Sequence, residues 1–319
     1  MTVAWVVGSG GLLGSALCRA LRRGGVELFS PVGRLSWTSN AELARQFATA
    51  VQAFGSRAAA AGPWEIYWAA GVSTINSSET SLEAETQSLS SLLRMVESTP
   101  LLMATPGALA FSSSAGTIYA GSADDIITEN TLPAPTTAYA RAKLKQEEMV
   151  RSFVHANDNM SALLARLSTL YGPGQSLGKP QGLLTNIARL TLKNLPVQIY
   201  VPFDTIRDYI TSDDAAAVMV AGLRAVAENP RVHTKIIASE QPATIAEIIA
   251  TFRKVARRNP RVITSVNKLS GIYPRRVRFQ SAAVPVNASL PRTTLLIGIA
   301  EVMAAERAAL MRGWQTQAE

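Results

Sequence analysis

The stretch Val3-Ala4-Trp5-Val6-Val7-Gly8-Ser9-Gly10-Gly11-Leu12-Leu13-Gly14 decides the fold class. Val3–Val7 is a short apolar run that ends at a glycine and reads as a strand. From Gly11 to about Arg23 the apolar residues recur at helical spacing. Gly8, Gly11 and Gly14 therefore fall in the turn between a strand and a helix. Glycine permits a tight turn there, and lets backbone N–H groups and the helix N-terminus approach a pyrophosphate. Gly8, Ser9, Gly10, Gly11, Leu12, Leu13 and Gly14 are thus the candidate cradle of a dinucleotide, because a strand–turn–helix context gives a glycine motif its meaning.

Working outward, the same alternation continues. Val26–Ser30 reads as a second strand, and a short extended piece at Leu35–Trp37 is a candidate third. Asn40 is placed to cap a helix whose stripe is Ala41, Leu43, Ala44, Phe47, Ala48 and Val51. Strands at Ile66–Ala70, Ala108–Ser112 and Ala162–Ser168 are separated by helices near Leu82–Val96 and Tyr139–Ala156. Strands spaced by helices of this length imply right-handed crossovers and a doubly wound, Rossmann-like parallel sheet. After Tyr171-Gly172-Pro173-Gly174 the pattern loosens into a loop running to Gln181. Helices are then expected at Leu183–Leu192, after Tyr209–Ile210 with Thr211 or Ser212 as cap and Asp213 and Asp214 in the first turn, at Thr244–Arg257 and at Thr294–Leu310. A strand is expected at Val262–Val266. The α/β chain is divided into a nucleotide-binding domain, residues 1–168 plus about 202–228, and a smaller, interleaved C-terminal substrate-binding domain, about 169–201 and 229–319.

Composition narrows the class. A chain of 319 residues, 47% hydrophobic and 17% charged, can bury a large core and is not a disordered chain. Cys18 is the one cysteine, which excludes a disulfide scaffold and favours a reducing compartment; it reads as core. With His155 and His233 the two histidines, no typical structural zinc set exists, so no metal is expected, and both histidines lie outside every motif. The first basic residue, Arg19, follows the N-terminal apolar stretch instead of preceding it, and no apolar run of about 18 residues occurs; a soluble cytoplasmic protein without membrane contact is expected. The net charge is +8, with 24 Arg against 7 Lys, a balance suited to phosphate recognition in a small anion or a nucleic acid.

Two further patterns carry chemistry. The second strand runs out through Phe29-Ser30-Pro31-Val32-Gly33-Arg34 with no Asp or Glu to meet a ribose 2′-hydroxyl, whereas Arg34 can face a 2′-phosphate. NADP(H) is therefore favoured over NAD(H). Tyr139-Ala140-Arg141-Ala142-Lys143 sets a phenol and an ammonium four apart, on one helical face. A free phenol is too weak an acid to serve near neutral pH, and a fixed positive charge beside it favours the phenolate. Ser112, Ser113 and Ser114 end an expected parallel strand, where the active-site groups of such sheets collect.

Taken together these residues resemble the extended short-chain dehydrogenase/reductases, of the NAD(P)-dependent nucleotide-sugar epimerase/dehydratase type. The resemblance covers nearly the whole chain. Gly8, Gly11 and Gly14 match its cofactor motif, and Ile66-Tyr67-Trp68-Ala69-Ala70-Gly71 is similar to the strand that lines its cofactor, which makes Ala69, Ala70 and Gly71 cofactor contacts. Ser114, Tyr139 and Lys143 match its catalytic triad. Arg166 to Pro173 resembles its R-x-x-N-x-Y-G-P segment, and Arg207-Asp208-Tyr209-Ile210 to Asp214 its R-D-[FY]-[IV]-x-x-x-D stretch. The resemblance implies that a hydride passes between nicotinamide C4 and a sugar carbon. Tyr139 then moves the proton on the attached oxygen, Ser114 holds that oxygen, and Lys143 binds the nicotinamide ribose. It also implies that Thr169, Arg207 and Arg276 meet the nucleotide-sugar substrate, and that a homodimer forms through the helices near Leu82–Val96 and Tyr139–Ala156.

Four departures sharpen the reading. Where dehydratases of the family carry Thr-Asp-Glu, this chain has Ser114-Ala115-Gly116-Thr117, which lacks an acid/base pair for eliminating water. Gly116 also stands where 3,5-epimerases carry a cysteine, Thr169 replaces an asparagine, and Glu85 replaces another asparagine on the helix after the fourth strand. What is left is reversible carbinol–ketone chemistry: 4-keto reduction of a nucleotide-linked sugar, 4-epimerisation with a tightly bound NAD, or reduction of a non-sugar ketone. A regulatory protein that senses NADP is the reading from another class. From Thr251 to Gln280 nine basic residues meet no acidic one, which reads as a solvated face, as a substrate-diphosphate contact through Arg275, Arg276 or Arg278, or last as a nucleic-acid patch, since no aromatic interleaving accompanies it.

Overall fold

The computed structural model describes residues 2–71, 73–175, 182–228, 231–265, 276–283 and 292–318, with 313–318 as helix backbone only. Val3–Val7 forms β1, and α1 (Leu12–Arg23), β2 (Glu27–Phe29), α2 (Asn40–Ala61) and β3 (Trp64–Trp68) follow. Next come α3 (Glu79–Glu97), α4 (Pro100–Met103), β4 (Gly107–Ser114), α5 (Ala115–Ile118), α6 (Ala138–His155) and β5 (Met160–Leu167). The second half holds β6 (Thr169–Tyr171), α7 (Leu183–Leu192), β7 (Val197–Ile199), β8 (Ile206–Arg207), β9 (Tyr209–Thr211) and α8 (Ser212–Ala227). It ends with β10 (Val232–Ile237), β11 (Ala243–Thr244), α9 (Ile245–Ala256), β12 (Val262–Thr264) and α10 (Leu295–Ala318).

Six strands form one sheet in the order β10-β5-β4-β3-β1-β2, every pair parallel. Helices cover both faces, so β1 and β3 are buried at every residue and carry no polar alternation. Their side chains still divide by parity. Val3, Trp5 and Val7 pack with α2 and α3 on one face, while Ala4 and Val6 pack with α1 and α8 on the other. Leaving β1, the chain steps first to β2 and later to β3 on the opposite side. This reversal opens a crevice beyond the carboxyl ends of the strands, the usual ligand position in such sheets. A separate core of Tyr171, Leu184, Ile187, Ile248, Phe252 and Ile299 unites the short parallel pairs β6–β9 and β7–β12 with α7, α9 and α10.

The structure moves three of the sequence assignments. Leu35–Trp37 is irregular, not a strand: the Ser36 amide is taken by Gln46 Oε1 of α2 at 2.7 Å, and Trp37 packs edge-on against Phe47 and Trp68. Ser39, not Asn40, caps α2, its hydroxyl accepting from the Glu42 amide at 3.3 Å. Residues 232–237, grouped from the sequence with the smaller domain, run as β10 beside β5 at the edge of the six-stranded sheet. The end of the loop expected to run to Gln181, and the basic residues Lys268 and Arg275, lie outside the described residues. Among the described residues no helix is long and apolar enough to cross a membrane.

Candidate active site

The crevice is a cleft of about 1120 Å³ between the sheet and the smaller core. Its sheet-side wall carries Gly11, Leu12 and Leu13 from the first turn, Ala69, Ala70 and Gly71 after β3, and Ser112, Ser113 and Ser114 at the end of β4. Tyr139 and Lys143 of α6 and Thr169 of β6 join them. Gly8, Ser9, Gly10 and Gly14 are not among the lining residues, Ser9 and Gly10 being exposed and Gly14 buried, and Arg34 is exposed on the irregular segment after β2.

The glycines of the first turn have separate physical duties. Gly8 has φ +91°, and a Cβ there would lie 2.6 Å from the Ala70 amide nitrogen. A Cβ on Gly14 would lie 2.1 Å from the Gly8 carbonyl oxygen. Only glycine allows α1 to start this close to β1 and β3. A Cβ on Gly11 would meet nothing nearer than 3.4 Å, so this glycine leaves space above the helix end. Gly11 caps α1 without a side-chain bond, and no acidic residue stands in the first turn, so the end keeps its positive character. These residues fit the diphosphate of a dinucleotide.

Thr137 accepts from the Ala140 amide at 3.2 Å and starts α6, which sets Tyr139 and Lys143 in its first turns on the cleft side. Lys143 Nζ lies 5.8 Å from the Tyr139 ring centroid and 5.2 Å from that of Phe111. It donates to Glu85 Oε1 at 2.9 Å and to Gln146 Oε1 at 3.2 Å. At the end of β4, the Ser114 hydroxyl accepts from Thr117 Oγ1 at 2.9 Å, which leaves the serine its own hydrogen to donate. Burial pushes the Tyr139 phenol above its ordinary value; Lys143 pulls it down and Glu85 pushes it up, and the net direction is up. The acidification expected from Lys143 is present but outweighed. Burial also opposes the charge on Lys143, yet Tyr139 and Glu85 overcome this and raise its pKa.

One turn further along α6, Glu147 accepts from Ser113 Oγ at 2.7 Å and from Arg166 Nε and Nη2 at 2.9 and 2.6 Å. This buried pair locks α6 to β4 and β5, and so fixes where Tyr139 stands. Asp208 is engaged likewise, accepting from Ser168 and Ser239. The two arginines expected to meet substrate, Arg207 and Arg276, are not among the residues lining the cleft. Arg207 is half-buried on β8, and Arg276 is exposed and forms an isolated parallel bridge with Ile206. Cleft residues passed over in the sequence are Ser73, Asn76, Asn186, Pro196, Gln198 and Tyr200, on loops, on α7 or on the short β7, where no glycine signal marks them.

The model of the NAD dependent epimerase/dehydratase family matches residues 4–237. The chain belongs to that family. Two curated relatives match part of the chain. The dTDP-L-rhamnose 4-epimerase of Burkholderia thailandensis is 34% identical over 96 residues, 30% of this chain and 26% of that protein. The dTDP-4-dehydro-6-deoxyglucose reductase of Escherichia coli is 28% identical over 113 residues, 35% of each chain. The matched stretch thus spans about a quarter and a third of these two relatives. Solved structures of the same fold include the UDP-glucose 4-epimerase of Thermus thermophilus with NAD (TM-score 0.78, 18% identity, 97% of this chain and 100% of that one). RMD of Pseudomonas aeruginosa with NADPH is another (TM-score 0.76, 18% identity, 97% and 100%). The family model is one of NAD-dependent epimerases and dehydratases.

Proposed function

We propose that the protein is an NAD(P)-dependent oxidoreductase of a nucleotide-activated sugar, reducing a 4-keto group with NADPH. The observation that carries this reading is the sharing of one cleft by Ser114, Tyr139 and Lys143 with Gly11 and the N-terminus of α1. When bound, the cofactor supplies the hydride that reaches the ketone carbon. The Gly8–Gly14 turn and the start of α1 hold its diphosphate, Ala69, Ala70 and Gly71 back it, Lys143 binds its ribose, and Arg34 meets a 2′-phosphate. Ser114 donates to the carbonyl oxygen, and Tyr139 gives that oxygen its proton. Thr169 touches the sugar, and Arg207 and Arg276, linked through the Ile206–Arg276 bridge, meet the substrate diphosphate.

Reduction is favoured over elimination because Ala115 and Gly116 put no acid or base beside Ser114, and over epimerisation because no carboxylate follows β2 within the segment ending at Arg34. The 4-epimerase reading is the second, supported by the 34% match to a dTDP-L-rhamnose 4-epimerase. We also infer a homodimer through α3 and α6, between which runs a groove where Arg94, Glu97, Lys145 and Glu148 surround Met149. The test supplies the purified protein with a nucleotide-linked 4-keto hexose and either NADPH or NADH. Net oxidation of NADPH, faster than that of NADH, is expected. Interconversion of 4-epimers by a retained NAD, with no net oxidation, selects the epimerase, and no turnover of either kind contradicts both.

A further inference from the structure

Glu85 stands where the resemblance expects an asparagine, and among the described residues lining the cleft it is the acidic one. Both its oxygens are engaged. Oε1 takes the Lys143 ammonium at 2.9 Å, and Oε2 accepts the Ser73 amide at 3.2 Å. The side chains of the pair are only 9% and 6% exposed, so solvent does little to weaken their attraction. A second route leads from α3 to the same lysine: Thr86 accepts from Gln146 Nε2 at 3.0 Å, and Gln146 Oε1 accepts from Lys143. Gly71 is part of the fit, since a Cβ there would come within 3.0 Å of Glu85 Oε1.

We propose that Glu85 is a positioning residue of proton transfer, which clamps the Lys143 ammonium beside the Tyr139 ring and offsets its charge, so that Tyr139 keeps its proton more tightly than beside a lysine with a neutral partner. The inference rests on the reading of Tyr139 as the proton donor. It also gives that reading a direction. As hydride reaches the carbonyl carbon, the C–O π pair moves to oxygen, the phenolic O–H breaks, and the proton forms the new alcohol O–H. The phenolate left behind is reprotonated from solvent. A phenol that stays protonated is ready for this step, whereas alcohol oxidation needs the phenolate first.

The groups that bear on Tyr139 and Lys143 are few. Glu85 faces them from α3 and Glu147 from α6, and the latter is already paired with Arg166 of β5. Burial opposes the Glu85 charge, but Lys143 and Ser73 outweigh it and hold the carboxyl below its ordinary value, so it is ionised throughout the neutral range.

The experiment labels tyrosine Cζ with ¹³C in the full chain, assigns the Tyr139 signal with Tyr139→Phe, and titrates it in the wild type and in Glu85→Gln. Glu85→Gln removes the charge and keeps one acceptor oxygen for Lys143, at the cost of the acceptor for the Ser73 amide. It is expected to lower the Tyr139 pKa and to move the alkaline fall of ketone reduction to lower pH by the same amount. Glu85→Asp is expected to retain wild-type titration. Should the glutamine variant fail to fold, Glu85→Asn serves in its place. An unmoved Tyr139 titration with a lowered Tm assigns Glu85 a structural role and overturns the proposal, whatever turnover does. A moved titration in a protein whose turnover ignores Tyr139→Phe overturns the redox reading instead and leaves the electrostatic role standing.

Discussion

A single methyl group distinguishes Gly11 from Gly14. On Gly14 it would sit 2.1 Å from the Gly8 carbonyl oxygen, inside the contact between β1 and α1. On Gly11, where φ is −81°, it has 3.4 Å and the backbone accepts any residue. Gly14→Ala is therefore expected to lower Tm by several degrees, in line with about 1–3 kcal/mol of overpacking in a chain of this size. Gly11→Val is expected to leave Tm of the nucleotide-free protein nearly unchanged and to weaken NADPH binding roughly tenfold or more, about 1.4 kcal/mol. Thermal melts and a fluorescence titration read the two effects, and unaltered binding in Gly11→Val contradicts the cradle. The glycines were legible because their spacing is local. The partner of Glu85 was not: it lies 58 residues away, on another helix, and nothing in the spacing of a lone glutamate points to a particular lysine.

Among the elements, α6 bears the most varied duties. Its cleft side carries Tyr139 and Lys143, while Gln146, Glu147 and Val150 are buried against α3, β4 and β5. The Glu147–Arg166 pair has side-chain exposures of 3% and 6%, so the loss of one partner strands the other away from water. Glu147→Gln is expected to cost about 3–5 kcal/mol, seen as a lower urea midpoint, and to reduce turnover by loosening the helix under Tyr139. A midpoint within experimental error of the wild type would show that the pair does not anchor the helix. The boundaries of α7 and the Thr211 cap of α8 agree with the sequence assignment, because caps and helical stripes are written within one element. Leu35–Trp37 misled because its apolar side chains pack on α2 and on Trp68 without pairing as a strand.

At the scale of the molecule, two cores on opposite faces of the sheet fix the positions of the strand ends, and a third core holds the other wall of the cleft. The parallel sheet was legible because βα alternation and crossover handedness leave few topologies. The placement of β10 was not, since Val232–Ile237 has the composition of an edge strand in either lobe and only pairing with β5 decides it. Arg207 and Arg276 show the same limit: motif and charge marked them, but the fold sets them beside the cleft, off its wall. The central claim concerns Tyr139, and the most direct measurement is the rate of NADPH oxidation by a nucleotide-linked 4-keto sugar in wild type and Tyr139→Phe, with NADPH affinity measured on the same samples. Loss of about 10²–10⁴-fold in kcat at unchanged affinity is expected when a positioned proton donor is removed. A Tyr139→Phe protein that turns over like the wild type contradicts the account.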